Sequence, residues 1–263
     1  LEVIISLLIL GIVAGILAGL LGVGGGLVIV PVIVWIFGQR ADFPSDYLLH
    51  IAIGTSLATI VITSISSIIA HHRRGAVRWD IVWRITPGLI LGALLGALIA
   101  DALPHQELKM FFAVFVLLAA LKMLLNIDPP ASHQLPKTLG LNSAGTVIGT
   151  VSAIVGIGGG TLTVPFLTWC NVPIRNAVAT SSSCGLPIAL AGAAGFIITG
   201  WGIETLPAWS LGYVYLPAFI AIVPTSMLFA PVGAKLAHTI PVKRLKQVFA
   251  VLLCVVGIKM LLE

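Results

Sequence analysis

Two glycine runs are the segments of this chain best suited to chemistry. Gly22-Val23-Gly24-Gly25-Gly26-Leu27-Val28-Ile29-Val30-Pro31 returns 134 residues later as Gly156-Ile157-Gly158-Gly159-Gly160-Thr161-Leu162-Thr163-Val164-Pro165. A polyglycine turn exposes backbone N–H groups, and a helix that starts there points its positive end at the same place, so each run is suited to holding an anion. Hydroxyls follow both copies: Thr55, Ser56 and Thr59, then Thr180, Ser181, Ser182 and Ser183. A hydroxyl donates to an oxyanion without a fixed charge that would hold it too tightly. The candidate substrate-binding residues are therefore Gly24, Gly25, Gly26, Thr55, Ser56, Gly158, Gly159, Gly160, Thr180, Ser181, Ser182 and Ser183. For any single hydroxyl the competing reading is a bond to its own helix or to a neighbouring one. Glycines four apart, Gly11, Gly15 and Gly19 or Gly88, Gly92 and Gly96, read as close helix packing instead.

The other reactive side chains point to ordinary roles. His71 and His72 adjoin Arg73 and Arg74 and read as a solvated interface. Arg175 reads as an interfacial anchor, and Asn176 as either an anchor or a polar mouth. Lys122 and Lys259, each near the end of an apolar block, are expected to reach for headgroups. Cys170, Cys184 and Cys254 lack CxxC spacing and sit in apolar blocks, as small buried hydrophobes do; Cys184 lies close enough to the serines to line a cavity with them. No metal, cofactor or disulfide is expected. HExxH is absent, and no Ser or Cys has a His or carboxylate beside it in its own block, which argues against an enzyme.

These residues must be positioned by membrane helices. Hydrophobic residues make up 59% of the 263 and charged residues only 9%, with a mean hydropathy of +1.14, far from a soluble domain. Apolar blocks run over 3–37, 48–70, 81–103, 108–125, 139–169, 177–201, 206–237 and 245–262, and most exceed the roughly 18 residues that span as helix. A removable signal peptide is not expected, because glycine-rich repeat sequence follows the first block. The net charge of +5 reads as topology signal and headgroup contact, with no basic domain for nucleic acid.

The duplication extends over the chain. Ala52 to Ser56 matches Ala177 to Ser181 at an offset of 125, and Pro87, Pro104, Lys109, Phe112, Lys122 and Met123 match Pro224, Pro241, Lys246, Phe249, Lys259 and Met260 at 137. Repeat 1 covers 1–126, a linker 127–138, and repeat 2 139–263. Arg73, Arg74, Arg78 and Arg84 follow the second block of the first half, where the second half has Glu204 and no Lys or Arg. The next connection reverses the contrast: Lys235, Lys243, Arg244 and Lys246 against Asp101, Glu107 and Lys109. By the positive-inside rule equivalent loops face opposite sides. The expected fold is an all-α polytopic membrane protein of two inverted-topology repeats, each a Gly-broken helical hairpin followed by three spanning helices. Ten helical segments follow, eight or ten of them spans. The hairpin arms are short helices or half-helices, both termini lie outside the cytoplasm, and Trp79, Trp83, Trp201 and Trp209 fall in the interfacial belts.

The duplicated glycine motif with its proline, followed by Gly54-Thr55-Ser56 and Ala179-Thr180-Ser181, resembles the TauE/SafE sulfite exporter family of membrane transporters over essentially the entire chain. The resemblance implies a carrier of small sulfur-containing or organic anions, such as sulfite, sulfoacetate or other sulfonates, in a bacterial or archaeal inner membrane. The expected partners are that small anion and the bilayer. The expected mechanism is alternating access at a midplane site between the repeats. An anion channel with the same lining, a membrane scaffold and an intramembrane enzyme are the alternatives.

Overall fold

Away from water a chain must satisfy its own backbone, so uninterrupted apolar runs become helices. A computed structural model describes residues 2–21, 25–38, 40, 42–125, 133–236 and 250–260 without 252 and 256. Its first half forms α1 (Glu2–Leu21), α2 (Gly26–Phe37), α3 (Ser45–His72), α4 (Trp79–Ala102) and α5 (His105–Leu125). Its second forms α6 (Thr138–Val155), α7 (Gly160–Trp169), α8 (Ile174–Thr199) and α9 (Leu216–Leu236), with further helical residues within 250–260. Among the described residues, α1, α3, α4, α5, α6, α8 and α9 are long and apolar enough to cross a membrane. The chain is a multi-pass helical membrane protein. Gly24, and the basic residues Lys243, Arg244 and Lys246, lie outside the described residues.

The glycine-broken blocks differ from two matched half-helices. α1 and α6 have 20 and 18 residues, enough to span, whereas α2 and α7 have only 12 and 10. Glycines within α1 do not break it because each lies against another helix. A Cβ on Gly11, Gly15 or Gly19 would strike the backbone of α9 at Ile222, Ser226 or Ala230. Gly88, Gly92 and Gly96 of α4 meet Asn142, Thr146 and Thr150 of α6 in the same way. Both four-residue glycine stripes are therefore packing surfaces, as their spacing indicates. The rising residue pairs show that α1 runs parallel to α9 and α4 parallel to α6.

α3 and α8 meet in the middle. Leu57 of α3 lies against Gly192 of α8, while Ser64 and Ser67 share a cavity with Ser182 and Gly185, so these two helices run antiparallel. Arg73, Arg74, Arg78, Arg84, Lys122, Lys137, Arg175 and Lys235 gather at one end of the bundle, whose acidic residue Asp80 is paired with Arg78 at 2.8 Å. Asp42, Asp46, Asp101, Glu107 and Glu204 lie at the other end, with Arg40, Lys109 and Lys259. Trp79 and Trp83 stand at the basic end with ring centroids 6.2 Å apart, and the exposed Trp201 and Trp209 stand at the opposite end. Lys259 places its Nζ 5.9 Å from the Trp35 ring.

Two features depart from the sequence reading. His71 is buried, not solvated, and its Nε2 bonds the Gly19 carbonyl at 3.1 Å. The end of α3 tucks beneath the end of α1, so residue 71 faces inward while the exposed His72 accepts from Trp79 Nε1. Between α8 and α9 a short hairpin also interrupts the helical pattern, pairing β1 (Ser210–Leu211) with β2 (Val214–Tyr215). Its turn residue Gly212 has φ +53°, and a Cβ there would strike the Ile197 carbonyl. The hairpin carries Tyr213, which stacks on His50 at 5.1 Å and donates to Asp101 Oδ1 at 2.9 Å.

Candidate functional site

Both glycine runs end in the same local structure. Gly25 (φ +77°) precedes α2 and Gly159 (φ +76°) precedes α7, and both take the left-handed conformation that a side chain strains. Their carbonyls accept the first helical bonds, from Val28 and Ile29 N–H and from Leu162 and Thr163 N–H. Gly156 (φ +74°) closes α6 ahead of the second turn. The two halves meet there. Gly26 lies against the Gly156 carbonyl with no room for a Cβ, and Ser56 donates to that carbonyl at 2.8 Å. The short helices α2 and α7 therefore begin inside the bundle, with their positive ends directed into it.

The hydroxyls divide into three groups. Thr55 Oγ1 accepts from Tyr215 N–H at 2.9 Å, just before α9, and Thr180 Oγ1 accepts from Arg78 N–H at 3.0 Å, just before α4. The sequence repeat matches these two bonds to each other, donor and acceptor alike, and each ties a central helix of one half to a helix entrance of the other. A second group bonds within its own helix: Thr59 to the Thr55 carbonyl, Ser182 to Val178 and Ser183 to Ala179. Ser181 is buried beside them. Asn176 donates to the Ala76 carbonyl at 2.9 Å and so fastens the start of α8 to the loop before α4.

The third group lies around the second turn. Gly158 lines a cavity of about 10 Å³ with Ala18, Ile60, Ser64, Ser67, Ser182 and Gly185. That is room for about one water molecule. Gly159 is flanked by Ser152, Thr163 and Ile188. The hydroxyls of Ser67, Ser152 and Thr163 are fully buried and make no hydrogen bond within the protein, a state that buried polar groups seldom keep without a bound partner or water. Of the predicted residues, Gly158, Gly159 and Ser182 thus share surroundings with Ser64, Ser67, Ser152 and Thr163, which the sequence reading did not single out. Ser64 and Ser67 sit one turn apart on α3, and Ser152 and Thr163 lie one turn before and after the glycines. Gly26 and Ser56 join the same region through Gly156, whereas Thr55 and Thr180 stand at opposite ends of the bundle. Cys184 packs among apolar side chains, including Ile188, and does not line the cavity.

Comparison with known proteins agrees with this architecture. The family model for sulfite exporter TauE/SafE matches residues 7–260. A probable membrane transporter protein of Haemophilus influenzae is 40% identical over 258 residues, covering 97% of each chain. One from Methanocaldococcus jannaschii is 28% identical over 97% of this chain and 94% of its own. The probable membrane transporter protein YunE of Bacillus subtilis is 25% identical over 98% and 97%. No solved structure matches significantly. Glycine-initiated short helices buried among spanning helices, with the match running nearly end to end, place this chain in the sulfite exporter TauE/SafE family of membrane transporters.

Proposed function

We propose that this transporter exports small sulfur-containing or organic anions, such as sulfite, sulfoacetate or other sulfonates, across a bacterial or archaeal inner membrane. The observation that carries the reading is the pair of left-handed glycines from which α2 and α7 start inside the bundle. Helix N-termini and free N–H groups at that depth offer an anion the donors it loses with its water. The family name supports sulfite as a member of the substrate class.

The two halves act as inverted repeats that rock about this site. Two things support that: the sequence-matched helices α3 and α8 run antiparallel, and α1 packs on α9 as α6 packs on α4. The basic end of the bundle faces the cytoplasm by the positive-inside rule. A cavity that holds about one water calls for the halves to part before a larger anion enters, which favours a carrier over a channel. The negative interior of the cell drives an anion outward by about 2.3 kcal/mol per charge per 100 mV, so export needs no coupled ion.

The test is anion movement in proteoliposomes under an imposed potential, with sulfite, thiosulfate, sulfoacetate, small carboxylates and sulfate side by side. Saturable, potential-dependent movement with counterflow is expected, and Gly159→Leu, whose Cβ meets the end of the Ile188 side chain rather than backbone, should abolish it while protein still inserts. Wild-type flux in that variant would sink the site. Unsaturable flux without counterflow would favour a channel, and no flux of any anion would remove the transport assignment to this substrate class.

A further inference from the structure

The repeat allows each residue around the second turn to be compared with its counterpart in the first. Ser152 and Thr163, flanking Gly159, correspond to Ala18 and Ile29; Ser182, beside Gly158, corresponds to Leu57. Ser64 and Ser67 of α3, which complete the cavity, correspond to Ala189 and Gly192 of α8. Each of these five hydroxyls thus has an apolar or absent side chain at the matching place. The matching space is also filled: Leu57 puts its Cδ1 2.9 Å from where a Cβ on Gly192 would sit. At the first turn the nearest neighbour of Gly25 is Ala14, and the hydroxyl beside Gly26, that of Ser56, already donates to the Gly156 carbonyl.

We infer that the two turns do not share the anion, and that the second half's turn, Gly158 to Gly160 with the Ser67, Ser152 and Thr163 hydroxyls, is the binding subsite while the first half's turn is a packing element. This rests on the transport reading above and centres its site on one of the two turns, with Ser67 contributed by the other half. The N-terminus of α7 supplies the positive end of a helix dipole. The independent mark of a ligand is three hydroxyls, each at most 1% exposed, without a protein partner. The fold pays for their desolvation, and an oxyanion with several acceptor oxygens returns it by taking a hydrogen bond from each. Ser182 donates to Val178 at 3.1 Å and Ser64 to Val61 at 3.0 Å, so those two shape the cavity, and donation is left to Ser67 within it and to Ser152 and Thr163 beside Gly159. Among the described residues no Lys, Arg or His lines it, so the site holds its anion through neutral donors that let it leave again.

The experiment uses the full chain in proteoliposomes with sulfite and sulfoacetate as probes. Ser152→Ala and Thr163→Val, singly and together, should each lower flux roughly tenfold or more, as expected for a hydrogen bond to a charged ligand. Their melting temperatures should stay equal or rise, since no hydrogen bond within the protein is lost. Thr163→Ser should keep most of the flux. Ile29→Val, at the first-half place that matches Thr163, should change it little. Wild-type flux in the double variant, with Gly159→Leu inactive, would overturn the hydroxyl subsite and leave the transport reading standing. Equal losses from Ile29→Val and Thr163→Val would overturn the asymmetry. A wild-type protein that moves neither probe would overturn this inference together with the reading beneath it.

Discussion

Thr55→Val and Thr180→Val separate a structural role for these hydroxyls from a substrate role. Valine keeps the shape of threonine and removes the acceptor, so Thr55→Val leaves Tyr215 N–H, and Thr180→Val leaves Arg78 N–H, without its partner at 2.9 or 3.0 Å. Both threonines are fully buried; Tyr215 is half-buried and Arg78 exposed, and the two bonds themselves are partly buried. A fully buried unpaired donor costs about 1–3 kcal/mol, and partial burial brings the expected loss to about 1–2 kcal/mol each. At roughly 2–4 °C per kcal/mol for a chain of this size, each variant should melt about 2–8 °C lower. The two bonds lie at opposite ends of the bundle, so the double variant should show the sum. Thr59→Val is the control, because its hydroxyl bonds only the Thr55 carbonyl of its own helix, and its shift should stay within about 0.5 kcal/mol. Melting would be followed in detergent by the folded fraction after heating, with flux per folded molecule measured alongside. Unchanged melting with lost flux would refute the reasoning and return both threonines to the substrate site.

Other perturbations test the frame. Gly92→Leu should prevent folded protein from accumulating, since its Cβ would strike the Thr146 carbonyl, whereas Gly75→Ala meets nothing within 4 Å and should cost only the roughly 1–2 kcal/mol of a side chain at φ +64°; membrane yield and melting compare them. Burial first, and then its bond to Asp101, hold the Tyr213 phenol neutral well above the ordinary tyrosine range. Its contribution is complete below about pH 10 and is lost as pH rises through the folded value, so Tyr213→Phe should flatten the fall of stability in strong base. On a background without Cys170, Cys184 and Cys254, Arg74→Cys should react with an impermeant thiol reagent from the cytoplasmic side and Glu204→Cys from the other. Labelling of both from one side would break the inverted topology.

Membrane helices were legible in the sequence because the bilayer leaves the backbone few choices, and an apolar run of about 18 residues has to become a helix. The packing glycines were legible for a similar reason, since only a missing side chain lets α1 approach α9 as closely as Gly11, Gly15 and Gly19 allow. The lengths of the hairpin arms were not legible. Whether Gly15 continues a helix and Gly25 starts one depends on which neighbour each meets, and that neighbour lies some 200 residues away for Gly15.

By itself the sequence determined the family and the helical membrane class and marked the two glycine turns, because those follow from residue type and spacing. Only the tertiary structure decided which hydroxyls serve the fold and which remain without a partner. Thr55, Thr180, Ser152 and Thr163 are alike as residues, yet the first two accept backbone N–H groups from the opposite half, and the last two meet no partner beside Gly159. A hydroxyl's role is set by the group within about 3 Å of it. For Thr55 and Thr180 that group comes from a segment distant in sequence, and no local pattern encodes it.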